Sequence, residues 1–228
     1  MSEAEEERDK QIKGVIFDLD NTLVDFVEAK INACDDVVGF LDRDDSEELL
    51  HHFFKGPYDI ENPKNIGEYL KERGIYTEEA LETCSDIYIS TKIDSIYAYP
   101  GVVDTLSKLR EHGYQLALLT DALADNARER LNKAGISGCF DVIVTFDVTG
   151  KKKPHLEPYK RCLEDMGLKA EEVLLVGDSL HRDIEPGKKL GMQTVYARYG
   201  DRNLFEKREV EPDFEIDEIG ELVGILGL

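Results

Sequence analysis

The segment Ile12-Lys13-Gly14-Val15-Ile16-Phe17-Asp18-Leu19-Asp20-Asn21-Thr22-Leu23 decides how this chain folds. Ile12 to Phe17 alternates little and is rich in branched apolar residues, the pattern of a strand buried on both faces of a parallel sheet. The run stops abruptly at two carboxylates, Asp18 and Asp20. That position is the carboxyl edge of a strand, where open α/β sheets place their ligands. Residues two apart in an extended segment point the same way, so the two carboxylates are expected to converge on one small volume. Like charges that close raise the cost of ionising both, which a bound divalent cation relieves. The pair therefore predicts a metal.

Downstream, helical and strand patterns alternate. Val102 to Glu111 is amphipathic and stops at His112-Gly113. Strand Gln115 to Leu119, helix Leu123 to Lys133, strand Val142 to Thr145, helix Glu157 to Met166, strand Glu172 to Val176, helix Pro186 to Leu190 and strand Gln193 to Tyr196 follow. Connections long enough for crossovers make this a doubly wound α/β parallel sheet. Residues 27–98 break the pattern, with helices expected at Val27 to Leu41, Ser46 to Phe54, Asn65 to Arg73 and Thr77 to Ile96. They read as a helical insert, leaving 1–26 and 99–228 as the core.

Composition narrows the function. With 228 residues the chain can bury a sizeable core, and no apolar run approaches the ~20 residues of a membrane-spanning helix. A formal charge of -21 argues against nucleic acid, whose phosphates would meet repulsion over most of the surface. Four cysteines, at 34, 84, 139 and 162, form no CxxC and no Cys/His cluster, so they read as reduced fillers. Met1 to Lys10 is acidic, without an apolar stretch, and reads as a frayed tail; a cytoplasmic protein is expected. The sequence sets no oligomeric state.

Three further segments end on the same expected sheet edge. Thr120-Asp121 closes the second strand just before a helix, whose opening N–H groups and the Thr120 hydroxyl suit either an anion or a helix cap. Lys151-Lys152-Lys153-Pro154 is a basic cluster in an acidic protein, and Pro154 restricts the backbone of Lys153 in a way the other two lysines escape. Gly177-Asp178-Ser179 closes the fourth strand, with Asp183 five residues after Asp178; if the first and fourth strands are neighbours, Asp178 faces Asp18. A hard cation held by carboxylates, a backbone carbonyl and water suits Mg2+.

This ordered set, Asp18-x-Asp20-x-Thr22, an apolar run ending in Thr120, Lys153-Pro154 and Gly177-Asp178-Ser179 with Asp183, resembles the haloacid dehalogenase-like hydrolase superfamily. The resemblance covers Ile12 to about Tyr199 and implies a Rossmannoid sheet of order 5-4-1-2-3, with 27–98 as a helical cap. It further implies that Asp18 is the nucleophile, forming an aspartyl-phosphate, and that Asp20 protonates the leaving oxygen and later activates water. Thr120, the Asp121 backbone and Lys153 would bind the phosphoryl group. Mg2+ would sit between Asp18, the carbonyl of Asp20 and Asp178, with Asp183 ordering its water. Asn21 stands where Gly is usual, and Asn tolerates the left-handed conformation well.

Within that superfamily, Asp20 favours phosphate over halide chemistry, because a halide needs no proton on leaving. The chain looks most like archaeal-type phosphatases acting on small phosphorylated metabolites such as glyceraldehyde 3-phosphate. Phosphoglycolate and nucleotide phosphatases are close alternatives, and a phosphomutase shares all four motifs. A catalytically silent binding protein fits poorly with every motif residue present. A phosphorylatable receiver would carry its acceptor Asp after the third strand and need no insert. In the insert and beside it, His51, His52, Phe53, Phe54, Tyr88 and Tyr97 are candidates for lining a substrate pocket.

Overall fold

The structure, a computed structural model, describes residues 11–202 and 210–228. The tail expected at Met1 to Lys10 lies outside the described residues. The chain divides into two compact units, Met1–Asp25 with Tyr97–Leu228, and Phe26–Ile96.

The first unit is built on six parallel strands: β1 (Gly14–Phe17), β2 (Gln115–Leu119), β3 (Val142–Val144), β4 (Val173–Gly177), β5 (Gln193–Ala197) and β6 (Phe214–Ile216). Their order is β3-β2-β1-β4-β5-β6, the expected 5-4-1-2-3 arrangement read from the other edge and extended by one strand. Strands β1 and β4 are buried at every position, as the unbroken apolar runs require of strands covered on both faces. Helix Leu156–Met166 lays Tyr159, Cys162 and Met166, spaced three and four apart, against Ile16, Ala117, Leu119 and Val144. Strand β6 has three residues, two of them exposed, so no apolar run announced it. It is set beside β5 by Asp213, whose Oδ2 accepts bonds from the Thr194 N–H and hydroxyl, both at 2.9 Å, while Oδ1 accepts from the Lys188 ammonium at 2.7 Å.

Leaving β1, the chain makes a turn around Asn21, which adopts φ 63°, as expected for a residue at ease in the left-handed region. Val24 then bridges antiparallel to Ala98, the Asp25 N–H donates to the Tyr97 carbonyl and the Tyr99 N–H to the Leu23 carbonyl. The outgoing and returning strands of the core are thus tied to each other.

The second unit contains helices Phe26–Phe40, Ser46–Lys55, Lys64–Glu72 and Glu78–Asp94, each within two residues of its expected limits. Thr77 caps the last of them, its hydroxyl accepting the Ala80 N–H at 3.0 Å. Val37, Val38, Leu49, Ile66, Tyr69, Leu70 and Cys84 close its core. Phe53 and Tyr88, two of the residues considered for a substrate pocket, are instead stacked in that core with ring centroids 4.3 Å apart. Beside them the buried Lys30 ammonium lies over the rings of Phe26, Phe53 and Phe54 and donates to the Ile60 carbonyl at 2.6 Å. Asp45 accepts bonds from Arg43, Tyr69 and Arg73, and these hold its carboxyl well below the usual range, Arg43 foremost.

Truncating Phe53 removes a fully buried ring with its stacking partner. Phe53→Ala is expected to cost about 3–5 kcal/mol, read as a lower urea midpoint of the transition that unfolds the helical unit. An unchanged midpoint would mean that this ring is not in the core.

Candidate active site

The carboxyl edge of the sheet is assembled by register. Phe17 pairs with Val176 of β4 and with Leu118 of β2, so Asp18, Asp178 and Thr120 leave their strands side by side. Asp18 is anchored by its N–H, which donates to the Val176 carbonyl at 2.9 Å, and Thr120 by its N–H to the Val144 carbonyl at 3.0 Å. Lys153 arrives from the loop after β3. Its N–H donates to Asp121 Oδ1 at 2.8 Å, and its ammonium lies 2.7 Å from Asp18 Oδ1 and 2.7 Å from Asp183 Oδ1. Lys151 and Lys152 are exposed. Of the three lysines, the one that precedes Pro154 is the one beside the carboxylates.

Asp183 comes in on the turn Leu180–Ile184, where its Oδ2 accepts the Ser179 N–H at 3.2 Å. It passes so close to Gly177 that a Cβ there would lie 2.4 Å from its carboxyl carbon, so only glycine fits this strand end. A second glycine matters for the same reason. A Cβ on Gly200 would lie 1.6 Å from the Asn21 carbonyl oxygen, so the loop after β5 can pack on the turn that follows the nucleophile candidate only without one.

Burial dominates the electrostatics. Burial pushes the Asp178 carboxyl well up, and Asp18 and Asp183 push it further. Asp183 is also raised, by burial and by Asp18, against the pull of Lys153. Burial alone would lower the Lys153 ammonium, but Asp18 and Asp183 outweigh it and the net shift is upward. Arg182 behaves likewise: Asp18, Asp183, Asp178 and Asp121 overcome its desolvation, and its guanidinium lies 3.7 Å from Asp121 Oδ2.

Asp18, Asp178 and Asp183 each offer one oxygen within 4.8 Å of the others. Around them, the carboxylates of Asp18, Asp121, Asp178 and Asp183 outnumber the cations Lys153 and Arg182 by two. Asp18 Oδ2 is buried with no hydrogen-bond partner among the described residues. An oxygen-rich set, an unpartnered buried oxygen and a charge imbalance of two fit a hard divalent cation.

The other expected site residues are placed less simply. Asp20 is not among the three carboxylates that lie within 4.8 Å of one another. Its Oδ2 is instead 2.5 Å from Arg130 Nη1. Thr120 is buried at the site, its Oγ1 accepting the Ala122 N–H at 3.2 Å; the cap position of helix Ala124–Lys133 falls on Leu123, so Thr120 is not that helix cap. The Asp121 carboxylate holds the Lys153 backbone. His181 is an exposed turn residue 3.0 Å from Glu185. Tyr97, Phe54 and His51 are exposed, and His52 lies 3.2 Å from Glu72.

Three residues were not anticipated: Arg182, Arg130 and Tyr159, whose hydroxyl donates to the Arg182 carbonyl. Arg130 carried a signal. Ala127, Arg130 and Leu131 share the buried face of helix Ala124–Lys133, and a charged residue on such a stripe is anomalous.

With this geometry in hand, comparison with known proteins is informative. A family model described as haloacid dehalogenase-like hydrolase matches residues 15–197. The chain belongs to that family. A glyceraldehyde 3-phosphate phosphatase of Methanocaldococcus jannaschii is 34% identical, covering 94% of this chain and 97% of the relative. A phosphoglycolate phosphatase of Aquifex aeolicus is 29% identical over 93% of this chain and 95% of its own. Among solved structures, the HAD-hydrolase YfnB of Bacillus subtilis, with magnesium bound, superposes with a TM-score of 0.75 over 96% of this chain and 100% of its own at 23% identity, a likeness of fold. The expected enzyme class, a phosphatase of this family, agrees with the names of the sequence relatives. Among the described residues, no helix is long and apolar enough to cross a membrane.

Protonation of the carboxylate group gives a testable sign. The folded protein holds protons on Asp178 and Asp183 more tightly than the unfolded chain does. That contribution to stability is present at low pH and is lost as pH rises through the raised values, above the ordinary 3.8. A divalent ion bound to the deprotonated carboxylates offsets the loss. Its stabilising effect, read as the difference in Tm with and without chelator, should therefore grow between about pH 5 and pH 8. A difference that shrinks over that range would contradict the reading.

Proposed function

We propose that this protein is a Mg2+-dependent phosphomonoester hydrolase that forms an aspartyl-phosphate on Asp18. The observation that carries the reading is the buried Asp18 carboxylate, gripped on one oxygen by Lys153 at 2.7 Å and grouped with Asp178 and Asp183. A carboxylate fixed in one orientation beside a lysine is a nucleophile aimed at an electrophile that brings its own negative charge. Thr120 is buried at the end of β2, the strand beside β1, and its hydroxyl and the Asp121 N–H would hold phosphoryl oxygens, with Lys153 offsetting their charge. Asp18, Asp178, Asp183 and the Asp20 carbonyl would hold Mg2+, which supplies charge neutralisation for the phosphoryl group.

In the first step an Asp18 oxygen forms a bond to phosphorus, the ester P–O bond breaks and the leaving oxygen takes a proton from Asp20. In the second, water attacks phosphorus and gives its proton to Asp20, and the Asp18–phosphorus bond breaks to release inorganic phosphate. The helical unit, 27–98 by the sequence pattern and Phe26–Ile96 by compactness, would act as the cap that excludes bulk water. Small phosphorylated metabolites are the substrate class. Glyceraldehyde 3-phosphate is the first candidate, because the relative 34% identical is named for it, and phosphoglycolate is the second, on the name of the Aquifex relative. Work in the cytoplasm agrees with four cysteines of which none is joined in a disulfide.

Phosphate release from a panel of phosphorylated metabolites tests the reading. Release should require Mg2+, stop with chelator and fall by at least about 10³-fold in Asp18→Asn. A folded, Mg2+-supplied protein that releases phosphate from no substrate would refute it, and interconversion of sugar phosphates primed by a bisphosphate would point to a mutase. On the same panel Lys153→Ala should abolish turnover and Lys151→Ala leave it unchanged; the opposite result would move the site.

A further inference from the structure

Arg130 is a large cation buried in the core unit and paired with Asp20. Its side chain is 2% exposed, and its Nη1 lies 2.5 Å from Asp20 Oδ2, bridging 110 positions of sequence. Burying a guanidinium costs several kcal/mol even when it is paired, and an apolar side chain of similar volume is usually at least as stabilising. Leucine would suit the inner face of helix Ala124–Lys133 better, since Ala127 and Leu131 share it. A local rule broken without a gain in stability marks a functional position. The partner is no ordinary carboxylate. Asp20 follows Asp18 by two residues and is not among the three carboxylates grouped within 4.8 Å of one another.

We propose that Arg130 is a positioning residue for Asp20: the buried guanidinium fixes the rotation of the Asp20 carboxyl and so directs its proton to the leaving oxygen. The inference rests on the phosphohydrolase reading above. The helix that supplies Arg130 starts four residues after Thr120, so one element orients both the phosphoryl-binding end of the site and the proton donor.

The test uses leaving-group dependence, which a purely structural role would not alter. kcat/KM reports events up to transfer of the phosphoryl group to Asp18. An alkyl phosphate has a poor leaving group that needs the proton, whereas 4-nitrophenyl phosphate has a good one that does not. For Arg130→Gln, kcat/KM on the best alkyl phosphate of the panel should fall by about 10–100-fold, the scale of misplacing a catalytic group by about 1 Å. On 4-nitrophenyl phosphate it should fall by less than about 3-fold. Arg130→Lys should recover part of the alkyl rate. Equal losses on both substrates, or none on either, overturn the proposal, and so does an Arg130→Lys that is no better than Arg130→Gln. If Arg130→Gln does not fold, Arg130→Met and Arg130→Lys give the same ratio, with Met showing the larger alkyl-selective loss. A wild type inactive on every substrate would instead refute the phosphohydrolase reading itself.

Discussion

The Lys153 ammonium, 2.7 Å from both Asp18 and Asp183 and almost wholly buried, is the contact on which the site depends. Burial opposes ionisation of Asp183 and the Lys153 ammonium favours it, since an unpaired buried charge costs several kcal/mol. Much of the surrounding architecture delivers that contact. Parallel register sets Asp18 and Asp178 at one edge, and Gly177 gives Asp183 room to approach. The Asp121 carboxylate takes the Lys153 N–H and so fixes where the lysine leaves its loop. Asp121 thus has a structural task, and its charge is met by Arg182.

Lys153 alone does not balance the group. Asp178 and Asp183 keep raised proton affinities because burial and their neighbours still penalise ionisation. The residual imbalance, together with the unpartnered Asp18 Oδ2, suits a divalent cation better than another lysine would. A second ammonium would compensate the charge permanently and occupy the volume where phosphoryl oxygens would approach, whereas an ion can be shared with the substrate.

Strand ends were legible in the sequence because buried parallel strands are apolar at every position, so the first polar residue after each run marks the functional edge. Asp18, Thr120 and Asp178 were found in this way. Lys153 was separable from Lys151 and Lys152 because a following proline restricts the backbone. Strand β6 was not legible: its two exposed residues and the side-chain bonds of Asp213 leave no apolar period to detect. Phe53 and Tyr88 show the opposite difficulty, since an aromatic residue in a helix has the same pattern whether it meets a ligand or another ring. The partner of Asp20 was not legible from the spacing of the two carboxylates, because Arg130 lies 110 positions away.

The two carboxylates that follow β1 stand in different electrostatic settings. Asp18 is buried 2.7 Å from the Lys153 ammonium and shares its volume with Asp178 and Asp183, whereas Asp20 is paired with the buried Arg130 guanidinium. One setting is crowded with carboxylates and open to a hard cation; the other is an ion pair that fixes a direction. Two residues of separation in sequence thereby become two distinct environments, which is what a reaction that assigns different work to two carboxylates requires.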